Sequence, residues 1–189
     1  YRYSFEIRYI NGQMAVPVLG TASRDGHEVL WLMETPFAGK DGANVDDASP
    51  LDQRPFRGQY PQHIEEEYVV PDMRWEDLIG DIFHADEPPR WVMLFAGRNV
   101  YLIDRTKWGR GQYLLFDLDE ILGRRQSPTL RATAALLSRD ALCPDDGIPL
   151  HDTLDESSHK HAYGVSSDLK YGLRKAVEML ANEYVYYQR

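Results

Sequence analysis

Residues Trp91 to Leu122 read WVMLFAGRNVYLIDRTKWGRGQYLLFDLDEIL, and this stretch decides the fold. Trp91–Phe95 is a short apolar run, Ala96-Gly97-Arg98-Asn99 is a turn-forming cluster, and Val100–Ile103 is a second run. Asp104 to Gly111 is a polar connection containing glycine. Tyr113–Phe116 is a third run, and it ends in Asp117-Leu118-Asp119-Glu120. Short runs of β-branched, aliphatic and aromatic residues bounded by Gly and Asn predict a buried antiparallel sheet. The last run fits a strand entering a helix whose acidic first turn suits the positive end of the helix dipole.

Upstream, Tyr1–Ile10 alternates Tyr3, Phe5, Ile7 and Tyr9 with polar residues, the period of a half-buried strand. Asn11-Gly12 is a hairpin turn signal, and Met14–Leu19 is the returning strand. Pro17 lacks an N–H to donate, which predicts an edge or a bulge there. Arg24-Asp25-Gly26 is a second turn. The largely apolar Glu28–Glu34 then belongs in the middle of the sheet. Pro36 to about Gln62 is rich in Gly, Asp, Pro and Ser and predicts a long surface loop. His63–Val70 fits either a strand or a short helix. Trp75, Leu78, Ile79 and Ile82 recur at helical spacing over Trp75–Phe83, with Asp72 as a candidate N-cap.

Downstream, Ser127-Pro128 reads as an N-cap followed by proline at the first helical position, opening a helix to about Leu142. Pro144–Pro149 is a loop. Leu169, Leu173, Val177, Leu180 and Tyr184 then mark an amphipathic helix capped by Ser166.

The 189 residues, 43% hydrophobic and 27% charged, suffice for one domain with a sizeable core and a helical appendage. No apolar run approaches the roughly 18 residues of a membrane span. The first residue is Tyr1, and the last residues read as a helix still running, so the chain is expected to be a piece of a longer protein. A single cysteine, Cys143, excludes an internal disulfide and a multi-cysteine zinc site, and it fits a reducing cytoplasm. Its expected role is that of a small, half-buried apolar residue.

The net charge of −9 argues against an autonomous nucleic-acid binder, because backbone binding rests on Lys and Arg. The charge is uneven, however. Between Arg98 and Arg131 seven basic residues face four acids, which leaves +3 there and −12 elsewhere. Arg98, Arg105, Lys107, Arg110, Arg124 and Arg125 are therefore the candidate DNA-contacting cations. Within Arg105–Arg110, Trp108 adds an aromatic that would stack on a base or sugar while the cations grip phosphate. The alternative is that Trp108 covers the edge of the core and the charges are solvated.

The order of a strand, GRxxxLxD, a basic loop and YxxFDLDEIL resembles the N-terminal region of large prokaryotic restriction–modification proteins. These are type IIG-like chains with a nuclease-like domain ahead of an adenine-N6 DNA methyltransferase, and the Pgl and BREX phage-defence methyltransferases are similar. The resemblance covers most of the chain as a pattern of order. It implies an α/β (α+β) fold, a mixed sheet flanked by helices like a degenerate PD-(D/E)xK nuclease, with a C-terminal helical segment. That chemistry needs two acids on adjacent strands to hold Mg²⁺ and a Lys two residues after the second acid. Pro17-Val18 stands where Pro-Asp is expected, and Glu34-Thr35-Pro36 where Glu-x-Lys is expected, so only Glu34 survives. Asp25 and Lys40 are the candidate replacements, off the pattern positions. The methyltransferase signatures themselves do not occur, since Pro88-Pro89 lacks the aromatic that stacks on a flipped adenine.

His151-Asp152 and His159-Lys160-His161 offer zinc or general-base chemistry only if three or four ligands converge. On a helix His159 and His161 would point to different faces. The expected domains are 1–125, a nuclease-like sheet domain, and 126–189, a helical segment leading to a methyltransferase domain. The expected function is a non-cleaving nuclease-like part of a restriction–modification or phage-defence protein that assists DNA or partner binding. S-adenosylmethionine would serve only the methyltransferase, and no metal or other cofactor is expected here unless the nuclease is active. The rivals are an active Mg²⁺-dependent endonuclease and a protein-interaction module of a defence complex.

Overall fold

The computed structural model describes residues 5–35, 49–60 and 70–187. The chain divides into two compact units, Tyr1–Gly147 and Ile148–Arg189. The sequence reading drew its line after Arg125; in the structure the helices of residues 127–142 belong to the first unit.

The first unit begins with a hairpin of β1 (Glu6–Ile10) and β2 (Met14–Val18). Asn11 and Gly12 close it with φ of 51° and 69°, the left-handed pair that matches the twist of a tight hairpin. Pro17 lies opposite Ile7 without a register shift. In a two-stranded ribbon each strand has a free side, so its missing N–H needs no bulge. Tyr9, expected inward, is exposed, and Ile10 is the residue of β1 that reaches the core. A second hairpin, β3 (Gly20–Arg24) and β4 (His27–Thr35), turns on Asp25 and Gly26 with φ of 53° and 82°. The sequence reading did not separate β3 from the preceding strand. Its residues are small and polar and carry little apolar periodicity, and a bulge after Ala22 breaks its register.

The main sheet runs β3-β4-β5-β6-β7, with β5 (Trp91–Ala96), β6 (Asn99–Asp104) and β7 (Leu114–Asp117). Only β4 and β5 are parallel, the others antiparallel, so the sheet is mixed. A parallel pair requires a crossover, and α1 (Trp75–Phe83) lies in it. Side chains alternate across the sheet. Trp31, Met33, Val92, Leu94, Tyr101 and Ile103 pack on one face with α1 and the β1–β2 hairpin. Leu30, Met93, Val100, Leu102 and Phe116 face the other side. There they meet the helices α3 (Leu118–Arg124), α4 (Ser127–Leu136) and α5 (Arg139–Leu142). Burial of each such aliphatic or aromatic side chain stabilises by about 1.5–3 kcal/mol, enough to set the sheet's position by itself.

Several local expectations change. Asp72 does not cap α1; the cap residue is Arg74, and the Trp75 N–H instead donates to the Gln53 carbonyl at 2.8 Å. Asp72 is exposed and pairs with Arg54. The polar connection after β6 holds one helical turn, α2 (Arg105–Trp108), capped by Asp104. Gln126, not Ser127, is the cap residue of α4. The expected helix to Leu142 breaks at Leu137-Ser138, because the Ser138 side chain accepts from the Ala141 N–H and starts α5 anew. Cys143 is fully buried rather than half-buried. Of the expected 36–62 surface loop, residues 49–60 are described, and they are not all surface. Leu51 enters the main core, Tyr60 packs on Ala15, and Gln59 Nε2 donates to the Glu34 carbonyl at 2.6 Å. The His63–Val70 segment lies outside the described residues except for Val70, which packs against Ala15 and Tyr60.

The second unit is built on one helix, α6 (Leu150–Tyr187). It starts sixteen residues before Ser166, because polar but helix-compatible residues carry no periodicity by which to read it. At 38 residues it is about 57 Å long.

Candidate functional site

The Leu19 N–H donates to the Leu32 carbonyl at 2.7 Å, so the end of β2 lies alongside the second half of β4. The two segments that the sequence aligned with the acidic nuclease motifs are therefore neighbours. Val18, at the position of the first acid, is fully buried in the apolar core. Glu34 is half-buried near the end of β4. Asp25 sits in the turn before the other end of that strand, 87% exposed, and pairs with Arg24 at 3.6 Å. From His27 to Glu34 a strand extends about 23 Å. A divalent cation with oxygens at roughly 2.0–2.6 Å cannot bridge that span. Asp25 thus does not join Glu34 in a site. Lys40 lies outside the described residues.

The candidate DNA-binding cations fall into two groups. Arg105, Lys107 and Arg110 surround α2 at one end of β6. Arg98 lies in the β5–β6 turn at the other end, where its carbonyl accepts from the Leu118 N–H at the start of α3. Arg124 and Arg125 close that helix, with Arg124 paired to Glu120. The six cations do not form one cluster. Trp108 does not stand free for stacking on a base. It packs edge-on against Phe83, centroids 6.4 Å apart, and joins the core beside α1. Arg105 and Arg110 are exposed and make no side-chain ion pair among the described residues, so they remain available to an anion.

The three candidate histidines lie on α6, where His159 and His161 point to different faces. His159 Nε2 lies 3.8 Å from Asp155, one turn back. Among the described residues no three His, Cys, Asp or Glu side chains come together to hold a metal.

Sequence reasoning missed a cleft of about 780 Å³ whose lining includes Arg8, His27, Glu28, Trp31 and Arg105. Glu28 is its most constrained group. It accepts from Arg8 Nε at 2.9 and 3.1 Å, from Thr21 Oγ1 at 3.1 Å and from Trp31 Nε1 at 2.7 Å. Partial desolvation pushes its carboxyl up, but the hydrogen bonds from Arg8, Thr21 and Trp31 outweigh this and hold it below the usual glutamate value. The Arg8 guanidinium is correspondingly raised, chiefly by its hydrogen bond to Glu28. A carboxylate with this many donors is saturated, which makes it a rivet between β1, β3 and β4 rather than a base. No local motif marks such a group, since its partners lie up to twenty residues away.

Comparison of this chain with family models, with curated proteins and with solved structures finds no match.

Proposed function

We propose that this chain is the nuclease-like N-terminal part of a cytoplasmic DNA restriction–modification or phage-defence methyltransferase, and that this part binds without cutting. The observation that carries the reading is the buried Val18 beside the Glu34-bearing half of β4. Val18 ends β2 of the hairpin and Glu34 lies near the end of β4 of the mixed sheet, neighbouring strand ends of the kind a two-acid metal site uses, yet the first of the two positions is an aliphatic core residue. A lone carboxylate does not hold Mg²⁺ and activate water. S-adenosylmethionine chemistry belongs, in this reading, to the methyltransferase part of the parent protein. The exposed, unpaired Arg105 and Arg110 are the residues for phosphate contact. They position a duplex without reading its sequence.

Plasmid incubation with Mg²⁺ and with Mn²⁺, alongside Glu34→Ala, tests the reading. We expect intact plasmid in every arm; nicking that disappears in the variant makes the chain an active nuclease instead. A salt titration of duplex binding tests the contact, and Arg105→Ala/Arg110→Ala is expected to lower the slope of log K against log salt by about 2. A slope unchanged in the double variant removes these residues from the interface. A second reading, a protein-interaction module, is favoured by the exposed apolar side chains of β7 and α3.

A further inference from the structure

The cleft of about 780 Å³ falls within the roughly 300–1,000 Å³ of small-ligand sites. Strand register places its walls at one end of the main sheet. Leu30 of β4, Trp91 of β5 and Asp104 of β6 lie side by side. His27, three residues before Leu30, and Arg105, directly after Asp104, therefore flank this end from strands two spacings apart, a lateral separation of about 10 Å. Residues 85–88 line the cleft and lead into β5, the strand between them. The Asp86 N–H donates to Asn11 Oδ1 at 3.3 Å, which ties this segment to the β1–β2 turn.

The floor of the cleft is already satisfied. Arg8 and Glu28 pair at 2.8 Å, and Trp31 Nε1 donates to Glu28 at 2.7 Å, so these groups answer one another. The rim differs. The side chains of His27, Asp86, Glu87 and Arg105 are exposed, and none makes a hydrogen bond or ion pair among the described residues. The rim thus offers a fixed cation and an imidazole, two carboxylates that only accept, and the Tyr9 ring, 46% exposed.

A ligand that satisfies this rim carries an anion at one end, N–H donors at the other and a flat body between them. A basic peptide would set its own sign against Arg105, and an acidic one would set it against Asp86 and Glu87. A nucleotide combines all three features. Its phosphate accepts from Arg105 and the His27 imidazole, and its base stacks on Tyr9. Among the DNA bases only guanine presents two adjacent donors, N1–H and N2–H, on its pairing edge, and these match the two oxygens of a carboxylate. We propose that this cleft binds one unpaired guanine nucleotide, with the phosphate at Arg105 and His27 and the base edge at Asp86 and Glu87. The proposal rests on the DNA reading, in which Arg105 is already a phosphate contact, and adds the base that is selected beside it. A fully paired duplex does not fill the cleft, because its guanines have no free pairing edge. A free nucleotide and an unpaired guanine within a strand present the same chemistry.

Two binding series with the full chain test this. The first is calorimetric titration with dGMP and with dAMP. The second is fluorescence anisotropy with a duplex that is fully paired, or that carries one unpaired guanine or one unpaired thymine. A preference for guanine of about tenfold is expected. Its appearance with dGMP assigns a free nucleotide, and its appearance in the duplex series alone assigns a strand. Asp86→Asn/Glu87→Gln is expected to bring the guanine preference down to about one, because the paired acceptors are gone. Tyr9→Leu is expected to weaken every nucleotide about tenfold and leave the preference intact. Circular dichroism of each variant is expected to be unchanged, as these positions are exposed. No preference for guanine in either series overturns the proposal, and so does a preference that the Asp86/Glu87 variant leaves unmoved. Paired duplex that binds without any guanine preference leaves the DNA reading standing while the cleft proposal falls. Selective dGMP binding with no binding of any duplex has the opposite meaning.

Discussion

Glu28 shows how one side chain ties separate strands together. Its depressed pKa means that the folded state holds the ionised form better than the unfolded chain does. The stability it contributes is present above the ordinary value of 4.5 and is lost as pH falls below it, through the lower folded value. Glu28→Gln is expected to cost about 2 kcal/mol at pH 7, because Arg8 and the Trp31 N–H lose a charged acceptor. That difference is expected to shrink as the pH is lowered below 4.5, measured by urea unfolding of both proteins across the acid range. A gap that stays constant with pH refutes the ionised role. Val18 and Trp108 make the same point about sequence legibility. Their identities are plain in the chain, but whether Trp108 stacks on a ligand or on Phe83 depends on where α1 lies.

At the scale of elements, the caps decide where helices start. Asp104, itself buried, ends β6, accepts from the Thr106 N–H at 2.8 Å and faces the partly exposed Arg90 Nη2 at 3.4 Å. Asp104→Ala is expected to destabilise by about 2 kcal/mol, combining a lost cap with the loss of a part-buried ion pair. Asp104→Asn is expected to recover roughly half, because an amide oxygen still caps α2. Denaturant midpoints of the two variants check this, and equal losses exclude the cap as a contributor. On α1, Ile82→Ala is expected to cost about 2–5 kcal/mol, since the side chain is fully buried against the sheet. The long periodic α1 was legible in sequence; β3 and the first half of α6 were not. β3 is held by its neighbour β4, and α6 opens with polar residues whose helicity no apolar stripe announces.

At the scale of the molecule, the three apolar clusters found among the described residues are drawn from residues that precede Gly147. Residues 1–147 alone are therefore expected to unfold in one cooperative transition within a few degrees of the whole chain. Thermal denaturation followed by circular dichroism checks this, and a non-cooperative melt of the shorter chain contradicts it. No helix among the described residues is long and apolar enough to cross a membrane.

The sequence by itself determined the elements that carry their own period or their own turn chemistry. Those are the Asn11-Gly12 hairpin, the Asp25-Gly26 turn, α1, and the β5–β6–β7 succession within residues 91–117. Each is specified by neighbours within a few positions, which is all that local propensity and patterning encode. The tertiary structure alone decided which of these distant pieces meet. It set Val18 beside the Glu34 half of β4 and Asp25 at that strand's other end. It parted the cations by the length of β6, and it left β7 at the end of the strand order among the described residues. Those outcomes follow from strand register and crossover, set by burial of apolar area contributed from the whole first unit, and no local stretch of sequence contains that sum.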